Sequence, residues 1–117
     1  MIDSGRLLMV PVILHAGTII TAALLARSPD LRRAAASTAI LRRQIILSLV
    51  FFGLCLRWKE IADAPVVVFA SLFVLASATH AVLTVRGDDA MAVHAFRAGI
   101  VALAGLAALL LMAMAPD

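Results

Sequence analysis

The sequence predicts an all-α integral membrane protein built as a four-helix bundle. Hydrophobic residues make up 64% of the 117 residues, and the mean hydropathy is +1.09. A soluble domain of this length does not need so much apolar surface, whereas a membrane-spanning helix needs about 20 consecutive apolar residues. Four segments of that kind are separated by short polar breaks. We therefore expect one membrane domain over residues 1–117, with no room for a second.

The segment 31–58 is the longest predicted helix, and it carries half of the basic residues. Asp30 precedes it and can accept hydrogen bonds from its first free N–H groups. At about 1.5 Å per residue this helix is roughly 40 Å long, which exceeds the hydrocarbon thickness of about 30 Å. Its basic first half should project beyond the membrane. Its apolar second half should enter the membrane near Arg42 and Arg43.

Three further helices are predicted over residues 7–26, 65–85 and 91–115. Pro65 suits the first turn of the third helix, with Asp63 as its cap. A tight polar turn, residues 86–89, joins the third helix to the fourth. The fourth helix contains small residues that would let a neighbouring helix approach closely. These residues are Ala98, Gly99, Ala102, Ala104, Gly105 and Ala108.

The basic residues lie at the ends of the apolar segments, which is typical of membrane topology rather than of nucleic-acid binding. The net charge is +3, but there is no basic tail and no basic patch interleaved with aromatic residues. We therefore expect a lipid bilayer and no nucleic acid as partner. Seven arginines lie near the first and third connections, against three basic residues on the opposite side. The positive-inside rule then places both termini on the non-cytoplasmic side.

The patterns of common catalytic and metal sites are absent from the sequence. Nucleophile triads, phosphate loops and zinc-ligand spacing do not occur, so we assign no catalytic residue and predict no metal site. The single cysteine, Cys55, excludes an intrachain disulfide. We interpret it as a packing residue on an apolar helix.

Three histidines, His15, His80 and His94, lie in or near the membrane, where ionisable residues are functional candidates by default. Two of them on different helices could ligate a haem iron. His15 lies about 12 Å and His80 about 21 Å from the outer ends of their helices, which argues against that pair. His80 and His94 could meet near the inner end. The alternative, which we favour for His15, is a neutral ring hydrogen-bonded to a serine, a threonine or a backbone carbonyl.

A cationic set lies at similar depth on the second, third and fourth helices: Arg42, Arg43, His80, His94 and Arg97. Such a set could hold a small anionic ligand by charge-assisted hydrogen bonds. It could also favour the thiolate form of a bound thiol. The alternative is that the arginines anchor the helices against lipid headgroups.

Two stretches resemble the MAPEG family, the membrane-associated proteins of eicosanoid and glutathione metabolism. In residues 63–99, an apolar helix contains Phe-Val and then His80, and a short turn leads to a fourth helix that opens with His94, an alanine, a phenylalanine and Arg97. In the second helix, Arg43, Gln44 and two isoleucines precede a run rich in Leu and Phe. This order is similar to the family's Asn-Gln-Phe-Glu. Four helices with both termini outside also agree with MAPEG.

The resemblance implies a homotrimer of four-helix subunits in a bacterial inner membrane. Glutathione would lie between neighbouring subunits near the cytoplasmic side. Gln44 and His80 match family ligand residues, and the family's fourth-helix Arg aligns with Arg97 or, alternatively, with Ala95. Arg42, Arg43 and His94 complete the candidate anion or glutathione site. The implied activity is glutathione-dependent transfer or peroxide reduction.

Three positions depart from the family pattern. Ile46, Ser77 and Thr84 stand where MAPEG proteins have Glu, Arg and Tyr. We therefore predict a reduced or altered ligand site. The alternative function is a non-catalytic subunit of a larger membrane complex, which packs through its small-residue fourth helix.

The arginine bias makes a testable prediction about topology. A periplasmic reporter such as alkaline phosphatase, fused after residue 117, should be active because the C-terminus is expected outside the cytoplasm. A cytoplasmic reporter at the same site should be silent. The reverse pair of signals would contradict the orientation.

Overall fold

Four α-helices are confirmed by a computed structural model, which describes residues 4–58 and 64–114. They are α1 (Ser4–Leu25), α2 (Leu31–Trp58), α3 (Ala64–Arg86) and α4 (Asp89–Met114). All four are long and apolar enough to cross a membrane, which supports an integral membrane protein.

The start of α2 is set by its acidic cap. Asp30 Oδ1 accepts hydrogen bonds from the backbone N–H groups of Arg32 at 3.1 Å and Arg33 at 3.4 Å. This confirms the predicted cap, which satisfies two of the helix's free donors. Pro65 is the second residue of α3, as predicted, whereas Asp63 lies outside the described residues.

The turn between α3 and α4 depends on one glycine. Gly87 has a φ of 82°, a left-handed conformation that favours glycine. Its N–H donates to the carbonyl of Thr84 at 3.1 Å, and that of Asp88 donates to Leu83 at 3.0 Å, which closes the end of α3. Asp88 Oδ1 then accepts from the N–H of Met91 at 3.2 Å. Because of this cap, α4 begins two residues earlier than predicted.

The central helix of the bundle is α3. It packs against α1, α2 and α4, and most extensively against α4. Helix α2 also touches α1 and α4, whereas α1 and α4 share no contact in the described part of the chain. Helices α1 and α4 therefore lie on opposite sides of the α2–α3 pair. The molecule is elongated, with dimensions of 53 × 26 × 21 Å. We call residues 26–33 and 86–89 the arginine-rich end.

Many large apolar side chains lie on the outside of the bundle, and several polar ones are buried beside its apolar core. The outer face includes Ile46, Leu49, Val101 and Leu111, each about two-thirds exposed or more. Lipid tails are as apolar as these side chains, so the surface suits a bilayer. The buried polar residues are His15, Ser37, Gln44, Ser48, Ser77, His80 and Thr84.

Three of the six small residues that the sequence analysis named on α4 pack within the chain. Gly99 is buried, and a Cβ there would lie 3.6 Å from Cβ of Ala76 on α3. A Cβ on Gly105 would lie only 2.5 Å from Cε1 of Phe69, also on α3. With the buried Ala102, these glycines bring α4 close to α3 of its own chain.

The other three small residues face outward. Ala98, Ala104 and Ala108 are exposed, so they remain free for contact with lipid or with another helix. Gly105 reports on the packing of the subunit itself, because its close neighbour is Phe69.

The Gly105–Phe69 contact predicts an asymmetry between the two glycines of α4. Gly105→Ala should lower the free energy of unfolding by about 1–3 kcal/mol, because the new methyl group overlaps the Phe69 ring. Gly99→Ala is the matched control. Its methyl meets ordinary contacts and improves helix propensity, so we expect no loss. Circular dichroism during thermal or SDS-induced unfolding in detergent would measure both.

A second substitution separates overlap from other effects. Adding Phe69→Leu to Gly105→Ala should recover part of the loss, since neighbouring substitutions couple. Equal stability of the two alanine variants would contradict the packing described here.

Candidate functional site

One face of α2 carries the residues from which the candidate site is built. Its buried residues are three or four positions apart, so they form one stripe that faces the other helices. The polar part of the stripe lies nearer the arginine-rich end, and the apolar part lies nearer the other end. The stripe consists of Ser37, Ile40, Gln44, Ser48, Phe51 and Cys55.

Gln44 joins α2 to α3 through two hydrogen bonds. Its amide Nε2 lies 3.3 Å from Nδ1 of His80, and the Ser77 hydroxyl donates to its Oε1 at 3.5 Å. All three side chains are buried. Ser77 and His80 are three residues apart, so α3 presents both to the same amide. We call Gln44, Ser77 and His80 the His80 network.

The His80 ring is enclosed between three helices. With the Gln44 amide donating to Nδ1, the neutral ring carries its proton on Nε2. That Nε2 atom is buried and has no hydrogen-bond partner among the described residues. The ring also contacts Phe96 of α4, at a centroid distance of 5.6 Å. His80 therefore holds one unused buried donor.

His15 makes a second polar contact one turn further along α2. Its Nε2 lies 2.8 Å from Oγ of Ser48. The fully buried ring lies among Phe51, Phe52 and Phe73, at centroid distances of 5.3, 5.5 and 5.1 Å. This agrees with the interpretation of His15 as a hydrogen-bonded core residue.

The other predicted ligand residues lie on the outside of the bundle. Of the six candidates, only Gln44 and His80 meet through a hydrogen bond. Arg43 is near enough to the His80 ring for an electrostatic interaction. The exposed candidates are Arg42, Arg43, His94 and Arg97.

Two of these exposed arginines nevertheless lie at the level of His80. Arg43 directly precedes Gln44, which contacts His80 from α2. Arg97 directly follows Phe96, which contacts His80 from α4. The predicted similarity in depth therefore agrees with the structure, although both arginines are exposed and neither is hydrogen-bonded to the buried network.

The histidines do not come together as an axial pair for haem. His15 is paired with Ser48, His80 is paired with Gln44, and His94 is exposed. Within residues 4–58 and 64–114, no three His, Cys, Asp or Glu side chains are grouped as they would be for a metal ion. Cys55 is buried in the apolar core, as predicted for a packing residue.

Two serines of these buried contacts were not identified from the sequence: Ser48, which pairs with His15, and Ser77, which donates to Gln44. Ser48 follows Gln44 by four residues, and Ser77 precedes His80 by three, so each pair shares a helical face. This spacing in apolar helices is the signal that could have identified them. Residue type alone could not, since the Thr18 hydroxyl bonds a carbonyl of its own helix at 3.0 Å.

A single chain offers an unpaired donor and positive charge at the His80 level, but Arg43, His80 and Arg97 line none of the larger cavities among the described residues. These cavities are lined by other residues of the four helices. An anionic ligand of Arg43 or Arg97 would therefore bind at the outer surface or between copies of the chain.

No protein-family model matches the chain, and neither a curated protein nor a solved structure matches it. The MAPEG resemblance therefore stays a prediction.

The His80 network predicts a coupled loss of stability. Gln44→Leu leaves Nδ1 of His80 and the Ser77 hydroxyl buried without a partner, which should cost about 1–3 kcal/mol. Ile46→Leu on the outer face of the same turn is the control, and it should leave the free energy of unfolding unchanged. SDS-induced unfolding in mixed micelles, followed by circular dichroism, would measure each variant.

A double-mutant cycle tests the contact itself. Combining Gln44→Leu with His80→Phe should cost less than the sum of the single losses, by about 0.6 kcal/mol or more. Strict additivity would show that the two side chains do not interact.

Proposed function

We propose that this chain is a MAPEG-like membrane protein that binds a small anionic thiol, such as glutathione, at the His80 level between copies of itself. The observation that carries the proposal is the common level of Arg43, Arg97 and His80 on three helices. The two arginines form no ion pair with a described carboxylate, so their charges are available to a ligand.

The chemistry of glutathione fits this arrangement. The peptide carries two carboxylates, which guanidinium groups bind through paired N–H donors. A guanidinium beside the bound thiol favours the thiolate, which is the nucleophile in conjugation reactions. The sulfur would form a bond with an electrophilic carbon, and the leaving group would depart with the electron pair. The cation holds the thiolate and takes no part in that bond change.

A homotrimer completes the proposed site, because one chain exposes its arginines without enclosing them. The exposed Ala98, Ala104 and Ala108 on α4 support association, since small residues allow close approach of helices in lipid. The arginine bias supports a bacterial inner-membrane orientation with both termini on the non-cytoplasmic side.

A second function, a non-catalytic subunit of a larger membrane complex, is supported by the positions that depart from MAPEG. Ile46 is 70% exposed on the outer face. The Ser77 hydroxyl is used by Gln44, and that of Thr84 donates to the His80 carbonyl at 2.8 Å. Side chains at all three positions therefore serve packing or face lipid, and none points to a ligand.

Calorimetry distinguishes the two functions. Titration of the purified protein with millimolar glutathione should show saturable heat. Arg43→Gln should weaken binding about tenfold, because it removes one charge-assisted interaction. Arg57→Gln is the matched control, since Arg57 is an exposed arginine near the other end of α2, and it should bind as the wild type does.

The size of the particle gives the second measurement. Native mass spectrometry should find three chains, and glutathione should bind only to that form. No heat from the wild-type protein would end the enzyme proposal. A stable assembly that binds no glutathione would favour the non-catalytic subunit.

A further inference from the structure

A groove runs along α1 and α3 toward the arginine-rich end. Its larger part is a cavity of about 610 Å³ between α1, α2 and α3. A second cavity of about 460 Å³ continues it between α1 and α3. Leu14, Thr18 and Ala78 line both cavities, so the two lie next to each other along the same pair of helices. We call the two together the α1–α3 groove.

The groove exists because its walls carry small residues. Gly17 lines it, and a Cβ at Gly17 would meet no atom within 4 Å. Ala78 and Ala81 form the facing wall on α3. The Thr18 and Thr21 hydroxyls donate to carbonyls of their own helix, at 3.0 and 2.8 Å. Their polar groups are thereby satisfied, and the groove is apolar along most of its length.

One end of the groove is cationic. Arg86, the last residue of α3, lines it. A Cβ built on Gly87 would lie 4.0 Å from a terminal nitrogen of Arg32, so a second guanidinium reaches the same turn. The nearby carboxylates of Asp30 and Asp88 already accept backbone hydrogen bonds as helix caps.

A buried hydroxyl lies in the same part of the groove. Ser37 lines the cavity and is fully buried, and its Oγ has no hydrogen-bond partner among the described residues. Because Gln44 contacts His80, these two residues lie at the same level of the antiparallel helices α2 and α3. Seven residues along each helix, about 10 Å, bring Ser37 level with Gly87. Ser37 is therefore near the cationic end, in the wall of the groove.

These features fit an amphiphile with an acidic head. A buried hydroxyl without a partner is costly, and an acceptor supplied by a ligand would remove that cost. From residue 25 to residue 10, the α1 wall is about 22 Å long, against about 15 Å for the hydrocarbon of one leaflet. The groove is therefore long enough for a whole acyl chain, and its volume is in the range of ligand pockets.

We propose that the α1–α3 groove binds one acidic phospholipid. One acyl chain lies between α1 and α3, and the phosphate lies against Arg86 and Arg32. A glycerol ester carbonyl accepts a hydrogen bond from Ser37. This binding requires that the helices span a membrane, but it does not depend on the proposed glutathione site, which uses other residues.

Native mass spectrometry from mild detergent can test lipid binding directly. The probes are phosphatidylglycerol and phosphatidylcholine with identical acyl chains. The wild-type chain should retain one phosphatidylglycerol, with an affinity at least about tenfold higher than for phosphatidylcholine, because guanidinium groups bind the anionic head. Equal retention of the two lipids would overturn the proposal.

Three variants separate the parts of the interaction. Gly17→Leu places a large side chain in the groove, starting from a Cβ position with open space around it, and should abolish retention of both lipids. Arg86→Gln should reduce the affinity for phosphatidylglycerol to that for phosphatidylcholine. Ser37→Ala should weaken the binding of both lipids severalfold, since both have ester carbonyls.

The chain offers matched controls for the first two variants. Gly53 on α2 also has no atom within 4 Å of an added Cβ, and it does not line the groove, so Gly53→Leu should bind lipid normally. Arg57→Gln removes an arginine away from the groove and should also bind normally. Thermal unfolding by circular dichroism would show that each variant is folded.

Three other outcomes would overturn the proposal. The first is retention of phosphatidylglycerol by folded Gly17→Leu. The second is binding of glycerol phosphate as strong as that of the lipid, which would mean that the arginines hold a free phosphate. The third is a lipid-free dimer that Gly17→Leu disrupts, which would mean that a second copy occupies the groove.

Discussion

An unpaired polar group is costly in hydrocarbon, and this cost governs how the four helices are arranged. Gln44 cannot face lipid without losing its partners, so α2 turns that side toward His80 of α3. Ser48, one turn further, meets His15 of α1 for the same reason. These two contacts fix both the rotation of α2 and its register against two neighbours. The apolar residues beyond these contacts then pack with α2 in the rotation that the two contacts set. Helix α4 packs mainly against α3.

The helices could be predicted because their causes are local. Each apolar segment has the length of a membrane span, and Asp30 stands where a cap of α2 must stand. The pairings between helices could not be predicted, because they depend on rotation about the helix axes. In helices that are apolar nearly all round, hydropathy carries little record of that rotation. Thr18 and Ser48 both offer hydroxyls, yet only Ser48 uses its hydroxyl to join two helices.

In the candidate site, too, the depth of each residue along its helix could be predicted, whereas the direction of its side chain could not. Counting residues along each helix correctly placed Arg43 and Arg97 at the level of His80. It could not tell that His80 would be enclosed while the arginines face outward. The exposed arginines contact the surroundings of the bundle, whereas the buried network joins α2 to α3. Substitution of these arginines should therefore disturb the fold less than substitution of the buried residues.

The His15–Ser48 contact joins residues 33 apart in sequence, and this separation bears on how the protein is made. Ser48 leaves the ribosome about 2–7 s after His15, at roughly 5–20 residues per second. During that time α1 carries an unpaired imidazole that hydrocarbon tolerates poorly. The delay between synthesis of Gln44 and of its partner His80 is similar, since His80 follows by 36 residues. A helix that stays at the insertion machinery until the next one arrives would meet its hydrogen-bond partner before it enters the hydrocarbon.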